Sequence, residues 1–264
     1  MTTALVPTQS LRERWNAGAT TLGAWMFLRE PLITEAAGDA GYDYVCIDMQ
    51  HGLASYTDAV AMVQALARTA ATPIVRVPWN EPSMIGRVLD AGALGVIIPM
   101  VNTPEDAARA VSACRYAPTG ARSLGPIGAM VRHGVKYIGW ANERVACLPM
   151  IETAEAVANI DEILAVPGID AIYVGPADLS LTLGLPPLMD NKDPRFQDAL
   201  VTILDACRRH GVVAGIQASA ALAETRAAQG FQMITVGYDH MPVVAALRAD
   251  LATSRAAAPS SPQN

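Results

Sequence analysis

Eight short apolar runs rich in β-branched residues alternate with eight stretches of helical period along this chain, punctuated by Gly, Pro, Asn and Asp. The runs span 21–27, 44–49, 73–78, 95–101, 146–152, 169–174, 212–217 and 232–237. The helical stretches span 31–40, 57–69, 82–92, 104–115, 154–165, 195–210, 219–229 and 241–253. Thr103-Pro104-Glu105-Asp106 shows how such a stretch opens, with a capping hydroxyl, a proline in the first turn and acids at the positive helix end. Strand followed by helix, eight times over, predicts an α/β fold, a (β/α)8 TIM barrel in a single domain over 1–253. The Ala-, Ser- and Pro-rich residues 254–264 read as a flexible tail. A doubly wound open sheet is the alternative, but it would place a glycine-rich phosphate loop after its first strand, and Met26-Phe27-Leu28-Arg29-Glu30 is none.

Two connections are long, 116–145 after the fourth strand and 176–194 after the sixth, and connections of that length in a compact domain are usually functional. A formal net charge of -6 leaves no basic footprint for nucleic acid. No apolar run approaches the roughly 18 residues of a membrane span, and MTTALVPTQSLRERWNAG lacks the order of a signal peptide, so the expected compartment is the cytoplasm. Cys46, Cys114, Cys147 and Cys207 are widely spaced and read as buried free thiols.

Barrel chemistry sits where strands end, so polar residues that interrupt or close the apolar runs are the candidates. Glu152 ends the fifth run and Asp178 follows the sixth. Neighbouring strands lie about 4.8 Å apart, which would bring the two carboxylates together around a hard divalent cation such as Mg2+ or Mn2+. Taken singly, each acid could instead cap a helix. Asp48 stands three residues before His51, a spacing that lets an aspartate orient a general base. Arg76 lies inside Ile74-Val75-Arg76-Val77 and needs an anion, either a substrate carboxylate or enolate or an internal partner in Asp48 or Glu152. Arg122 and Arg132, in the long connection, read equally well as surface charges. Only Lys136 and Lys192 are lysines and both fall in expected loops, which disfavours Schiff-base chemistry.

Five segments taken together resemble the HpcH/HpaI family of metal-dependent pyruvate aldolases: IDMQHG (47–52), VRVPWN (75–80), LDAGALGVIIPMV (89–101), MIET (150–153) and VGPADLS (174–180). The resemblance runs from about Leu22 to Leu247. It implies a homo-oligomer, often a hexamer built as a trimer of dimers with C-terminal helices exchanged between neighbours. It implies a divalent metal, Mg2+, Mn2+ or Co2+, on Glu152 and Asp178, with Arg76 steadying a pyruvate enolate. It further implies that His51 and Asp48 form the acid/base pair and that Gly175, Pro176 and Ala177 lie against the pyruvate carboxylate. Trp25 and Gln50 complete the expected substrate-binding residues. The implied activity is reversible cleavage of a 4-hydroxy-2-oxo acid to pyruvate, or an analogue such as hydroxypyruvate, and an aldehyde. An oxaloacetate decarboxylase or acyl-CoA lyase would use the same enolate chemistry, and a barrel that binds a metabolite without turnover is the reading from another class. Relatives that read Asp-Gly-Glu-His carry an acid where this chain has Gln50, and the arginine that many relatives place after their G-x-R segment is absent from Gly125–Met130. Both departures point away from a dicarboxylate-derived substrate and towards a smaller or hydroxylated aldehyde.

Overall fold

In the computed structural model, which describes residues 9–257, eight parallel strands close into a barrel in the order β1 to β8. They are β1 (Thr21–Met26), β2 (Tyr44–Asp48), β3 (Thr72–Arg76), β4 (Gly95–Ile98), β5 (Ala146–Ile151), β6 (Ala171–Val174), β7 (Val213–Gln217) and β8 (Met233–Tyr238). Each falls on an expected run. The first five helices are α1 (Leu11–Asn16), α2 (Pro31–Asp39), α3 (Tyr56–Ala65), α4 (Pro82–Ala91) and α5 (Pro104–Cys114). Next come α6 (Ile127–His133), α7 (Tyr137–Arg144), α8 (Ala154–Ala158), α9 (Ile160–Leu164) and α10 (Pro176–Thr182). The last three are α11 (Pro194–His210), α12 (Ala223–Gln229) and α13 (His240–Ala257). Thr103 caps α5 as its sequence predicts, its hydroxyl accepting from the Asp106 amide at 3.2 Å.

The differences from the sequence reading have local causes. The single helix expected over 154–165 is split at Asn159, which leaves helical geometry and donates its side-chain amide to the Asn102 carbonyl at 2.9 Å. The connection 116–145 contains α6 and α7, where Arg122 and Arg132 turn inward as braces. Arg122 bonds the Asp90 carboxylate and the Tyr137 hydroxyl, and Arg132 donates to the Val63 carbonyl at 2.6 Å. The last helix runs to Ala257, into the stretch read as tail; residues 258–264 of that reading lie outside the described residues.

Side-chain alternation along the strands builds two cores. Trp25, Tyr44, Cys46, Ile74, Ile97, Leu148, Met150, Tyr173 and Met233 fill the barrel interior. Val45, Ile47, Val75, Val96, Ile151, Ile172 and Ile216 face outward against the helices. The six-residue α1 adds Leu11 and Trp15 to the interior cluster, and Trp15 Nε1 donates to Thr21 Oγ1 at 2.9 Å, so α1 closes the N-terminal end of the barrel. All four cysteines are free and buried. No helix among the described residues is long and apolar enough to cross a membrane.

The last helix is unlike the others. Every residue from 241 to 256 is exposed, including the apolar Val244, Leu247 and Leu251 that share a face at helical spacing. In a closed barrel the eighth helix ordinarily covers β8 and β1. Here an open cavity of about 270 Å³ occupies that place, lined by Ala24, Met26, Ile33, Ala37, Tyr42 and Tyr238.

Candidate active site

The mouth at the C-terminal strand ends is organised by Asp48 and Arg76, which stand directly opposite one another in the β2–β3 register. Arg76 Nε donates to Asp48 Oδ1 at 2.9 Å and Nη2 to Oδ2 at 2.5 Å, a bidentate fork between side chains that are 6% and 0% exposed. Three more donors converge on the same carboxylate: Trp25 Nε1 at 3.2 Å, the Gln50 amide at 2.9 Å and the His51 amide at 3.3 Å. Burial alone would raise the Asp48 pKa, but the Arg76 guanidinium and these donors hold it below the usual carboxylate range. Burial likewise works against the Arg76 charge, and Asp48 more than reverses it.

This geometry corrects two expectations. Asp48 does not hold the imidazole of His51, because Arg76 and three other donors take its oxygens; it bonds the backbone of His51 and so fixes the turn instead. The turn is tight, since a Cβ on Gly52 would lie 2.2 Å from the Asp48 carbonyl oxygen, and it leaves the His51 side chain exposed. Trp25, expected against substrate, is 0% exposed. Its ring stacks on Tyr173 at 5.4 Å and lies 4.9 Å beneath the Arg76 guanidinium, so it positions Arg76 and has no surface to offer a ligand.

Glu152 follows β5 and is 3% exposed. Its Oε1 accepts from the Met100 amide at 2.8 Å. Burial raises its pKa, the Met100 amide lowers it, the charge of Asp178 raises it further and that of Arg76 lowers it; the net shift is upward. Neither acid caps a helix. Thr153 caps α8 through its own hydroxyl, and Gly175 occupies the N-cap of α10 with no side-chain bond, placing Asp178, itself exposed, in the first turn. Gly175 packs closely on Glu152: a Cβ there would come within 2.9 Å of Glu152 Oε2. Pro176 is buried and Ala177 partly exposed beside it. Gln50 is partly buried at the turn and its Oε1 has no partner.

Two residues of this mouth escaped the sequence reading. Met100 holds Glu152 by its backbone, for which its side chain gives no signal. Gln217 ends β7 as a polar residue closing the apolar run VVAGIQ, the same signal that exposed Asp48 and Glu152. Neither lysine is in the barrel: Lys136 lies in the turn before α7 and Lys192 is an exposed loop residue paired with Asp190.

The comparisons with known proteins agree with this architecture. The hydroxypyruvate/pyruvate aldolase of Rhizorhabdus wittichii is 41% identical over 247 residues, 93% of this chain and 98% of that protein. The 2-keto-3-deoxy-L-rhamnonate aldolase of Salmonella gallinarum is 36% identical over 91% of each chain. The crystal structure of a HpcH/HpaI aldolase/citrate lyase family protein from Burkholderia cenocepacia superposes with a TM-score of 0.85 at 34% identity, covering 93% of this chain and 98% of that one. Residues 21–246 match the HpcH/HpaI aldolase/citrate lyase family, and the chain belongs to it.

Proposed function

We propose that this chain is a divalent-metal-dependent aldolase that reversibly cleaves a 4-hydroxy-2-oxo acid into pyruvate or hydroxypyruvate and an aldehyde. The observation that carries the reading is an imbalance of charge at the mouth. The guanidinium of Arg76 is committed to Asp48, while the buried Glu152 feels the charge of Asp178 more strongly than that of Arg76. Two carboxylates without a side-chain cation of their own fit a divalent ion. Among the described residues no group of three or more His, Cys, Asp and Glu is placed to share an ion, so Glu152 and Asp178 would hold it with oxygens of water and substrate, the donor set Mg2+ and Mn2+ favour. When bound, such an ion supplies Lewis-acid polarisation of the 2-oxo group.

The protein's own residues account for the remaining steps. His51, exposed beside the mouth, takes the proton from the C4 hydroxyl as the C3–C4 bond breaks and the aldehyde forms. The C3–C4 bonding pair becomes the C2–C3 double bond and the former carbonyl π pair moves onto the C2 oxygen, giving an enolate. Asp48 occupies Nε and Nη2 of Arg76 and leaves Nη1 to donate to that oxygen; because the fork and Trp25 fix the guanidinium beforehand, little reorganisation accompanies the developing charge. The proton taken up by His51 then returns, directly or through water, to C3, which yields the free 2-oxo acid and restores neutral His51. The backbone at Gly175–Ala177, beside Glu152, receives the substrate carboxylate.

We further propose that the chain works as a homo-oligomer in which α13 of one copy covers the open slot beside β1 and β8 of another. The exposed apolar face of α13 and the apolar cavity it leaves behind support this reading.

Chelator-treated protein tests the central proposal. Pyruvate release from a 4-hydroxy-2-oxo acid is expected to vanish and to return with Mg2+, Mn2+ or Co2+, and to return in neither Glu152→Gln nor Asp178→Asn. Full activity in excess chelator would overturn it.

A further inference from the structure

We propose that Gln217 is a specificity-determining residue that recognises a hydroxyl on C3 of the 2-oxo acid donor, selecting hydroxypyruvate-type donors over pyruvate. The inference rests on the aldolase reading above and assigns that site its donor preference.

The strand register places Gln217. Ile151 pairs with Val174 and Val174 with Ile216, so the residues one step further, Glu152, Gly175 and Gln217, stand at one level around the mouth on consecutive strands. Along β7, Val213 packs with the barrel interior whereas Ala214 and Ile216 pack with the outer core. Alternation therefore directs Gln217 inward, where it is partly exposed. Gly175, between the two polar side chains, contributes no side chain of its own. Glu152 and Gln217 thus face one another across a gap of two strand spacings, roughly 10 Å between backbones, which suits a three-carbon acid.

The neighbouring Tyr238 sets which end of the Gln217 amide is offered. The Tyr238 hydroxyl donates to the carbonyl of Ala218, the residue that follows Gln217, so towards the Gln217 amide its oxygen can only accept. That acceptor favours the orientation in which the Gln217 NH2 faces Tyr238 and Oε1 is presented to the mouth as an acceptor. A methyl group leaves that acceptor unmatched, whereas a C3 hydroxyl donates to it. A site built to bond a hydroxyl discriminates against the analogue that lacks one.

The test is donor competition. Metal-loaded wild type, Gln217→Leu and Gln217→Asn are assayed in aldol addition to D-glyceraldehyde with hydroxypyruvate and with pyruvate. The wild type is expected to prefer hydroxypyruvate, and Gln217→Leu to lower the ratio of the two kcat/KM values about tenfold, the scale of one hydrogen bond. Gln217→Asn, which keeps the amide on a shorter stem, is expected to retain part of the preference. A ratio unchanged in Gln217→Leu, or a wild type that prefers pyruvate, would overturn the assignment and leave the aldolase reading standing. A wild type inactive with both donors would overturn the aldolase reading and this inference with it.

Discussion

The backbone amide of Met100 donates to Glu152 Oε1 at 2.8 Å, and Met100 is the one non-glycine residue among those described with a positive φ, 55°. A left-handed conformation costs an ordinary residue roughly 1–2 kcal/mol, and the rest of the loop must sustain it. Its effect is to aim an N–H at one oxygen of a buried carboxylate. Met100→Gly keeps the amide and relieves the strain, so its stability should stay within about 1 kcal/mol of wild type with Mg2+ affinity preserved. Met100→Ile, β-branched where φ is positive, should lose about 1–2 kcal/mol and bind Mg2+ more weakly. Denaturant unfolding and metal titration by calorimetry check both; an Ile variant that matches wild type would mean the conformation does not matter to Glu152.

The Asp48–Arg76 fork predicts an asymmetric response to conservative changes. Arg76→Lys keeps a positive charge but gathers its donors on one nitrogen, losing the planar fork that bonds Asp48 along one edge while Nη1 points elsewhere, so kcat should fall at least a hundredfold with KM changing less. Asp48→Asn leaves a buried guanidinium without its counter-charge and should cost about 3 kcal/mol of stability. Steady-state kinetics beside thermal unfolding separate the two effects. A Lys variant with normal turnover would make the fork purely structural.

Much of this site was legible in the sequence, because an ionisable residue closing an apolar run announces that a strand end is doing something other than packing. Asp48, Arg76 and Glu152 were found that way. What spacing could not supply was register: Asp48 is three residues from His51 and 28 from Arg76, yet pairing of β2 with β3 puts the distant residue opposite it. Trp25 was visible as a residue but not as a buried one. The strands were clear because their runs are short and well punctuated, whereas α6 and α7 are brief and glycine-bearing and their period is weak. Helix α1 did carry a signal, since Ser10-Leu11-Arg12-Glu13 forms a capping box in which both reciprocal bonds are made.

Acid should act on the long connection as well as on the mouth. His133 lies between Tyr137 and Trp140 with both ring nitrogens unpartnered, and burial lowers its pKa to about 4. A histidine depressed in the folded state prefers to be neutral there, so stability is lost as pH falls from about 6.5 towards 4. Asp48 acts lower on the scale: its depressed pKa contributes stability above the unfolded value near 3.9, and that contribution disappears as pH falls through the folded value. His133→Phe should therefore flatten the dependence of Tm on pH between 6.5 and 4 and leave the steeper loss below 4. Differential scanning calorimetry across that range checks it, and a Phe variant with the wild-type slope would assign the titration to another group.

The exposed face of α13 predicts assembly. Leu247→Glu with Leu251→Glu should shift the protein to a smaller species in light scattering while the barrel keeps its circular dichroism, because residues 241–256 are all exposed on their own chain. A double variant with wild-type mass would remove α13 from the interface.

Helix α1 closes one end of the barrel with Leu11 and Trp15, and Trp25, Tyr44 and Tyr173 fill the space above them. That plug leaves a single doorway, and it turns a matter of architecture into a rule of timing. On the aldolase reading proposed above, the 2-oxo acid half would sit deepest, between Glu152, Arg76 and Gly175, with the aldehyde half between it and the exit. The aldehyde must therefore depart first in cleavage, and the 2-oxo acid must enter first in synthesis. Product inhibition should record the queue, with pyruvate competitive against the cleaved substrate and the aldehyde noncompetitive.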